Sequence, residues 1–425
     1  MSLGLKFQCS TLDSLKDEES LKFIVGTKSL RESNEVHVLE YEPESNRVKP
    51  FSVYSHKNEI WDICSCPWSS SKFFTVYNTG TEFCSTLWST NQENESENEN
   101  KNDNLNKKTN LEKEEQDSNE DEDKDEDEDE SNNPNNGLKK LYPLVHLPTP
   151  EGKISSVLFN TESEIQDRVI SFDEKCINVW SLEKLETDKI ATNISQARVG
   201  RLEKISSGGW NPTDPNLVAI AIESNLSIWD LRDMKKESFV IRQAHEDRLR
   251  TIAFNRNSIS QVASGGDDCK IKFWDLRKIQ RGLENNEEPQ DLLTLTGHSH
   301  WVWQLEFNPI HDRLLLSSST DSTVKLWDAP SLAFKDLRLE ELESDPDNDF
   351  DQDQFEQDID EYEENKNKKV TTQKDGLLNT FEDHDDSVYS IAWSKTEPWF
   401  FASISYDGRF VVNKVPEEIK EKILD

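Results

Sequence analysis

The sequence predicts an all-β protein that folds as a closed, seven-bladed β-propeller. Two observations support this prediction. A set of His, Ser and Asp residues recurs three times in the C-terminal half at one fixed spacing. In addition, short apolar stretches of strand length, separated by turn residues, continue through most of the chain. Repeated units of four short strands are typical of propeller blades.

The last three blades carry the repeat most completely. From each His, a Ser follows after 19 residues, an Asp after 23 and a third marker after 29. The three sets are His245, Ser264, Asp268 and Trp274; His298, Ser317, Asp321 and Trp327; and His384, Ser403, Asp407 and Asn413, where Asn replaces Trp. Apolar residues recur at +4, +7 and +9, which predicts a buried first strand in each blade.

These residue types suit a hydrogen-bonded network. The His before the first strand can bond to the turn Asp, to a Ser on the second strand and, through that Ser, to the Trp indole of the third. Such a chain satisfies each buried polar group and fixes the strand register. We therefore expect a structural role for these His residues rather than catalysis or metal binding. His298 and His300 alone, without further ligands nearby, do not make a zinc site.

Partial copies of the repeat bring the number of blades to seven. They lie at 22–41, 56–88, 168–180 and 205–230. The last blade lacks an outer strand, and the segment 3–9 has the alternation needed to supply it. This N-terminal strand closure would remove an exposed sheet edge. Residues 416–425 are expected to form a short helix, and residues 1–425 a single domain.

Two acidic segments interrupt the repeats. Residues 91–137 carry 19 Asp and Glu against 5 Lys, and residues 339–369 carry 14 against 3, so they account for −25 of the net charge of −36. We place them between the third and outer strands of blades two and six. Because their composition cannot bury apolar surface, we expect disorder; docking of basic partners is the alternative.

The composition also excludes several classes of function. An acidic chain is a poor ligand for nucleic acid or an anionic membrane surface. No apolar stretch approaches 18 residues, no secretory leader is evident, and the six cysteines form no C-x-x-C pair. These features favour a cytoplasmic protein with reduced thiols, monomeric within a larger complex. No phosphate-binding Gly-rich loop or nucleophile constellation is present, so we expect a binding protein with no cofactor and no enzymatic activity.

The best candidates for a protein-binding site flank the +4 position. In WD-repeat propellers, which this repeat resembles, such residues surround the upper mouth of the central channel. They are Glu59, Trp61, Arg248, Arg250, Trp301, Trp303, Ser387 and Tyr389, joined by Asp267, Thr320 and Tyr406 before the turn positions. Trp, Tyr and Arg dominate interface hot spots, which favours binding over the alternative of ordinary packing between blades.

A competing site involves two arginines. Blades four and five end their third strands in Trp-Asp-Leu-Arg, with Arg232 and Arg277 as the last residues. Consecutive motifs of this kind resemble those of substrate receptors of cullin-RING ubiquitin ligases. Alternatively, the two arginines pair with acidic groups at the blade edge.

Several longer phrases resemble one family in particular, the EARP and GARP complex-interacting protein family. They are FIVGT from Phe23, EIWDI from Glu59, GGDDCKIKFWD from Gly265, HSHWVW from His298, EPWFFAS from Glu397 and YDGRFVVNKVP from Tyr406. The resemblance runs from about residue 3 to the end, although the insert after Trp88 is longer than the family pattern. It implies binding to the endosome-associated recycling (EARP) and Golgi-associated retrograde (GARP) tethering complexes. It also implies support of their membrane recruitment and of endosomal cargo return, peripherally at the trans-Golgi network and endosomes.

Overall fold

A computed structural model describes all residues except 18, 31, 92–137, 149–152, 161–167, 183–189, 201–202, 257, 259, 333–373 and 425. The described residues form seven four-stranded antiparallel sheets. The innermost strand of each sheet contacts the innermost strands of its two neighbours, and these contacts close into a circle. The predicted seven-bladed propeller is therefore confirmed.

The first strand of the chain, β1 (Ser2–Gly4), belongs to the last blade. The strands of blades one and two are β2 (Cys9–Leu15), β3 (Leu21–Thr27), β4 (Asn34–Glu42), β5 (Arg47–His56), β6 (Glu59–Ser65), β7 (Lys72–Asn78), β8 (Phe83–Ser89) and β9 (Tyr142–Leu147). Those of blades three and four are β10 (Ile154–Phe159), β11 (Arg168–Asp173), β12 (Cys176–Ser181), β13 (Thr192–Arg198), β14 (Ile205–Trp210), β15 (Leu217–Ile222), β16 (Asn225–Asp230) and β17 (Phe239–Ile241).

Blade five also carries a helix between its third and outer strands. Blades five and six contain β18 (Leu249–Phe254), β19 (Gln261–Gly266), β20 (Lys270–Asp275), helix α1 (Leu276–Glu284), β21 (Leu293–Thr296), β22 (Val302–Phe307), β23 (Leu314–Ser319), β24 (Val324–Asp328) and β25 (Gly376–Phe381). Blade seven contains β26 (Val388–Trp393), β27 (Phe400–Ser405), β28 (Arg409–Lys414) and β1, and helix α2 (Glu417–Leu424) follows it.

The N-terminal strand closes the ring as predicted. β1 pairs antiparallel with β28, and Leu3 lies opposite Phe410. The predicted segment 3–9 was too long, however, because the strand ends at Gly4 and Cys9 already pairs with Thr27 in blade one. The sequence pattern merged two strands here because both alternate in the same way across a short connection.

The apolar core lies between adjacent blades. Each sheet buries both faces, so the middle strands are apolar over most of their length, as in β15. Phe273 of blade five packs against Phe307 of blade six with 6.1 Å between ring centroids, and Phe23 of blade one contacts Phe410 of blade seven at 5.8 Å. Burial on both faces is what holds neighbouring sheets together.

Each innermost strand contains a β-bulge at the same place. The register shifts across a single residue, which we call the bulge residue: Ser10, Trp61, Ser155, Ser206, Arg250, Trp303 and Tyr389. A bulge leaves one residue out of the ladder and re-aims its side chain. All seven bulge residues line a central cavity of 390 Å³.

The remaining expectations concern the inserts and the helices. The acidic segments 91–137 and 339–369 lie outside the described residues, apart from Asn91, and they fall between β8 and β9 and between β24 and β25 as predicted. α2 forms within 416–425 as predicted. α1 was not predicted; Asp275 caps it by accepting from the backbone N–H of Arg277 and Lys278. In the described part of the chain, no helix has the length and apolar character needed to cross a bilayer.

Candidate protein-binding site at the channel mouth

The repeated His, Ser, Asp and Trp residues form complete networks in blades five and six. In blade five, His245 Nδ1 lies 2.9 Å from Asp268 Oδ1, and His245 Nε2 lies 2.8 Å from Ser264 Oγ. The Trp274 indole donates to the same hydroxyl at 2.8 Å. Blade six repeats this arrangement with distances of 2.7–2.8 Å among His298, Asp321, Ser317 and Trp327. Both ring nitrogens of each of these His side chains are therefore engaged in hydrogen bonds within the blade.

Blade seven departs from this pattern. His384 Nε2 contacts Ser403 at 2.7 Å, but its Nδ1 contacts the Ser405 hydroxyl at 2.8 Å, and Ser405 in turn donates to Asp407 at 2.6 Å. The corresponding residue of blade five is Gly266, where a Cβ atom would lie 3.1 Å from His245 Nδ1. The direct His384–Asp407 contact is therefore replaced by a relay through Ser405. Blade six carries Ser319 at the same position, but that hydroxyl donates to the His300 carbonyl and the direct His298–Asp321 contact remains.

The weaker blades keep fewer of these bonds. In blade two, Thr75 takes the place of Ser, with His56 Nε2 at 3.3 Å and the Trp88 indole at 2.8 Å. Thr75 was not predicted, although it lies 19 residues after His56 and carries a hydroxyl. In blade four the Trp229 indole N–H is buried and has no hydrogen-bond partner among the described residues, because Ile220 occupies the Ser position.

One cluster at the mouth joins blades five to seven. Arg250 forms a bidentate salt bridge with Asp267. Its guanidinium carbon lies 4.4 Å from the Trp301 ring centroid and 4.7 Å from that of Trp303. Trp303 contacts Tyr389 edge to face at 4.6 Å, and Tyr389 contacts Tyr406 at 5.7 Å. The bulge places Arg250, Trp303 and Tyr389 on one side of the channel, so that three blades contribute to a continuous cation and aromatic surface.

A second cluster lies at blades one and two. The Trp61 side chain contacts Phe83 at 5.4 Å, and Lys28 Nζ lies 3.1 Å above the Trp61 ring. Burial lowers the pKa of Lys28 to about 8 despite the nearby charge of Glu59. Lys28 was not predicted. It occupies the same position as Asp267, Thr320 and Tyr406, because its backbone N–H bonds to the carbonyl of the residue just before the inner strand, Gln8, as theirs do.

The other predicted mouth residues have supporting positions. Arg248 donates through Nε to Ser206 Oγ at 2.9 Å. Thr320 bonds to His300 and, through its backbone N–H, to the Trp301 carbonyl, while the Ser387 carbonyl accepts from Tyr406 N–H. Glu59 begins β6 beside the second cluster. The predicted residues therefore divide between the two clusters instead of forming one patch, apart from Arg248, whose side chain bonds to blade four.

The mouth offers apolar area together with charge. Trp61 is 41% exposed and Trp301 is 39% exposed, which is high for Trp side chains in a structure with this much buried core. Exposed Trp beside Arg and Tyr is the composition of an interface hot spot. Among the described residues, no group of three or more His, Cys, Asp and Glu side chains is placed to hold a metal ion.

The two arginines of the competing motif occupy different settings. Arg232 forms a bidentate salt bridge with Asp230 of its own motif, with Nη2 2.7 Å from Oδ2, and its side chain is largely exposed. Arg277 is the second residue of α1, and its backbone N–H is part of the helix cap. Because the helix α1 follows the motif of blade five and β16 of blade four leads into turns, the two arginines are not presented in the same way.

The chain matches known proteins over most of its length. The family model described as EIPR1 beta-propeller matches residues 1–120 and 134–327, and a WD domain, G-beta repeat model matches residues 376–412. The chain is 31% identical to EARP and GARP complex-interacting protein 1 of Rattus norvegicus, over 99% of this chain and 97% of that protein. The protein of the same name from Homo sapiens is also 31% identical with the same coverage. WD repeat-containing protein DWA2 of Arabidopsis thaliana is 32% identical over 97% and 95% of the two chains. Since the propeller model covers well over half of the chain and these relatives align almost end to end, the chain belongs to the EIPR1 β-propeller family.

Proposed function

We propose that this protein is a non-catalytic platform that binds the EARP and GARP tethering complexes through the channel mouth. The observation that carries the proposal is the relationship along almost the whole chain to proteins named for interaction with those complexes. Binding would support recruitment of the complexes to membranes and transport from endosomes to the Golgi or back to the surface. The protein would then act peripherally at the trans-Golgi network and endosomes through its partners.

The mouth is the surface best suited to this role. The cluster of Arg250, Trp301 and Trp303 combines large contact area with side chains already held in place by Asp267 and Tyr389. Pre-organised aromatic anchors lose little conformational freedom on binding, so more of the contact energy appears as affinity.

The experiment is recovery of the purified EARP and GARP complexes by the immobilised full-length protein. We expect Trp301→Ala combined with Trp303→Ala to weaken binding at least about tenfold, because hot-spot aromatics contribute about 2 kcal/mol or more each. The matched control is Phe51→Ala, which removes an aromatic ring that is 53% exposed on the outer strand of blade one.

Circular dichroism and the thermal midpoint must show that each variant is folded. Unchanged recovery by a folded double variant would exclude the mouth as the binding surface. Failure of the unaltered protein to recover either complex would exclude the proposed function itself. Affinity purification from cells with mass spectrometry, in which a cullin adaptor replaced the tethering subunits, would do the same.

A further inference from the structure

A second cavity lies on blade four, apart from the central channel. It has a volume of 280 Å³ and lies between β16, β17 and the connection that leads from blade three into blade four. Among the described residues, none lines both this cavity and the channel. We call it the blade-four cavity.

Two buried side chains of β16 form the floor of the blade-four cavity. Ser227 is 2% exposed and Trp229 is 3% exposed, and the alternation of a strand places both on the same face of the sheet. Within the described part of the chain, the Ser227 hydroxyl makes no side-chain hydrogen bond, and the Trp229 indole N–H has no partner. Buried polar groups are almost always paired, so an unpaired hydroxyl that lines a cavity is a candidate contact for a ligand.

Blades five and six fill the corresponding space. By strand pairing, Ser227 occupies the position of Lys272 in blade five and of Lys325 in blade six. Lys272 Nζ donates to the Ala244 carbonyl at 2.8 Å, and Lys325 Nζ donates to the Thr380 hydroxyl at 3.1 Å. The short side chain of Ser227 cannot reach such partners, and the space therefore stays open in blade four.

Three cations surround the opening of the blade-four cavity. Arg198, Lys235 and Arg242 line it and are exposed to solvent. Glu203 and Glu237 line it as well, so three cations against two carboxylates leave the described lining positive in a chain that carries −36. Lys235 and Arg242 form no ion pair with any described residue. The opening therefore favours an anion.

The donors of the blade-four cavity match a phosphate group. A guanidinium group presents its N–H donors in a planar fork that fits two phosphate oxygens, and an ammonium group binds phosphate as a point charge. A phosphate monoester has three terminal oxygens, which is enough for the rim cations and for the Ser227 hydroxyl at the floor, whereas a carboxylate has two. Ligand pockets usually measure about 300 to 1,000 Å³, so a cavity at the lower end of this range fits a small ester.

We propose that the blade-four cavity binds the phosphate group of a small phosphate monoester, either free in solution or as the headgroup of a lipid. The Ser227 hydroxyl donates to one phosphate oxygen, and Lys235 and Arg242 contact the other two from the rim. The Trp229 ring packs against the organic part of the ligand. The site is separate from the channel mouth, so the ligand is additional to the tethering complexes of the proposed function.

The test is a titration of glycerol 3-phosphate, glycerate and glycerol into the full-length protein labelled with 5-fluorotryptophan. The fluorine resonance of Trp229 reports the blade-four cavity and that of Trp303 reports the channel, each assigned with its Trp→Phe variant. We expect glycerol 3-phosphate to shift the Trp229 resonance at concentrations at least about tenfold lower than glycerate. Glycerol should have no effect, and the Trp303 resonance should stay unchanged throughout.

A matched pair of surface variants tests the rim. Lys235→Gln removes a cation that lines the cavity, and we expect it to weaken binding of glycerol 3-phosphate at least about tenfold, because hydrogen bonds to charged groups are the strong ones. The control is Lys236→Gln, which removes the neighbouring exposed cation outside the described lining and should leave binding unchanged.

Ser227→Val tests the floor. It introduces the residue that blade seven carries at this position, Val411, and removes the hydroxyl with little change in volume. We expect binding to weaken at least about tenfold. If this variant does not fold, the Lys235→Gln and Lys236→Gln pair on the surface still decides the matter.

Cosedimentation with phosphatidylcholine vesicles, with and without phosphatidic acid, separates the two sources of the phosphate. Binding only to the vesicles with phosphatidic acid, weakened by Lys235→Gln, would identify a lipid headgroup, and a response to glycerol 3-phosphate without vesicle binding would identify a free ester. An unchanged Trp229 resonance, equal responses to glycerol 3-phosphate and glycerol, or equal effects of the Lys235 and Lys236 variants would each overturn the proposal. Unchanged binding by folded Ser227→Val would do so too.

Discussion

Blade six and blade four share a strand pattern but differ in their polar bonds. In blade six, His298, Ser317 and Trp327 are hydrogen-bonded, and Gln304 and Glu306 accept from the Ile391 and Trp393 amides of the next blade. In blade four, Ile220 replaces the Ser, and the Trp229 indole has no partner in the described part of the chain. Both blades nevertheless form four antiparallel strands in equivalent register.

The difference shows that apolar burial is enough to form a blade, whereas the polar hydrogen bonds join its strands to one another and to the next blade. The apolar strands are sufficient for the blade itself, since blade four buries Val218, Ile220 and Trp229 as fully as blade six buries its own core. The polar network adds cooperativity between strands and between blades.

The largest effect that distinguishes the two kinds of blade should come from Ser317→Ala. The substitution removes the hydroxyl shared by His298 and Trp327 and leaves two buried polar groups unpaired. We expect the free energy of unfolding to fall by about 3 kcal/mol. In blade three, the one side-chain hydrogen bond that the Ser171 hydroxyl makes within the described part of the chain is from the Trp180 indole, so Ser171→Ala should cost about 1 kcal/mol. Urea denaturation measures both, and equal losses would contradict the shared-hydroxyl argument.

A smaller, pH-dependent effect should come from Glu306→Gln. Burial, and next the charge of Asp13, raise the pKa of Glu306 to about 8. Between its ordinary pKa of 4.5 and about 8, the folded protein retains a proton that the unfolded chain releases, so stability falls as the pH rises through this window. Gln does not titrate and still accepts from Trp393 N–H. As the pH rises from about 5 to about 8.5, we expect the free energy of unfolding of the variant to increase by about 2 kcal/mol relative to that of the unaltered protein. Urea denaturation of both proteins at several pH values measures this difference. If the difference in free energy of unfolding stayed the same across this range, Glu306 would not be the group responsible.

The smallest effect should come from Trp229→Phe compared with Trp327→Phe. Both substitutions remove part of a buried ring, but only Trp327 loses a hydrogen bond. We expect Trp327→Phe to be more destabilising by about 1 kcal/mol, as measured by the shift of the urea midpoint. If the two variants lost the same stability, the indole N–H of Trp229 would have to be satisfied in solution.

The sequence predicted those features that depend on local spacing. The offsets from His245, His298 and His384 identify three blades because each marker must meet the others across adjacent strands. Thr75 was within reach of the same reasoning, whereas Ser405 was not, because its insertion between His384 and Asp407 depends on the three-dimensional distance between them. α1 escaped notice because its apolar positions are few and follow directly on a strand.

The sequence identified most residues of the candidate site but not how they are arranged in space. Counting selected Trp61, Arg250, Trp303 and Tyr389, and these are bulge residues. A bulge is a property of the register between two strands, so one strand's sequence does not reveal it. Lys28 was missed because blade one carries no His marker from which to count.

The position of the connection between third and outer strands has a consequence for how the chain can vary. In blade six this connection follows Asp328, which pairs with Leu314, at the opposite end of the blade from Thr320 and the mouth. Lengthening a loop costs little free energy, about 0.6 kcal/mol for each doubling. Insertions there therefore add length at the far end of the propeller while the mouth keeps its residues and spacing. Blades two and six, which carry the long acidic segments, show that this tolerance has been used twice.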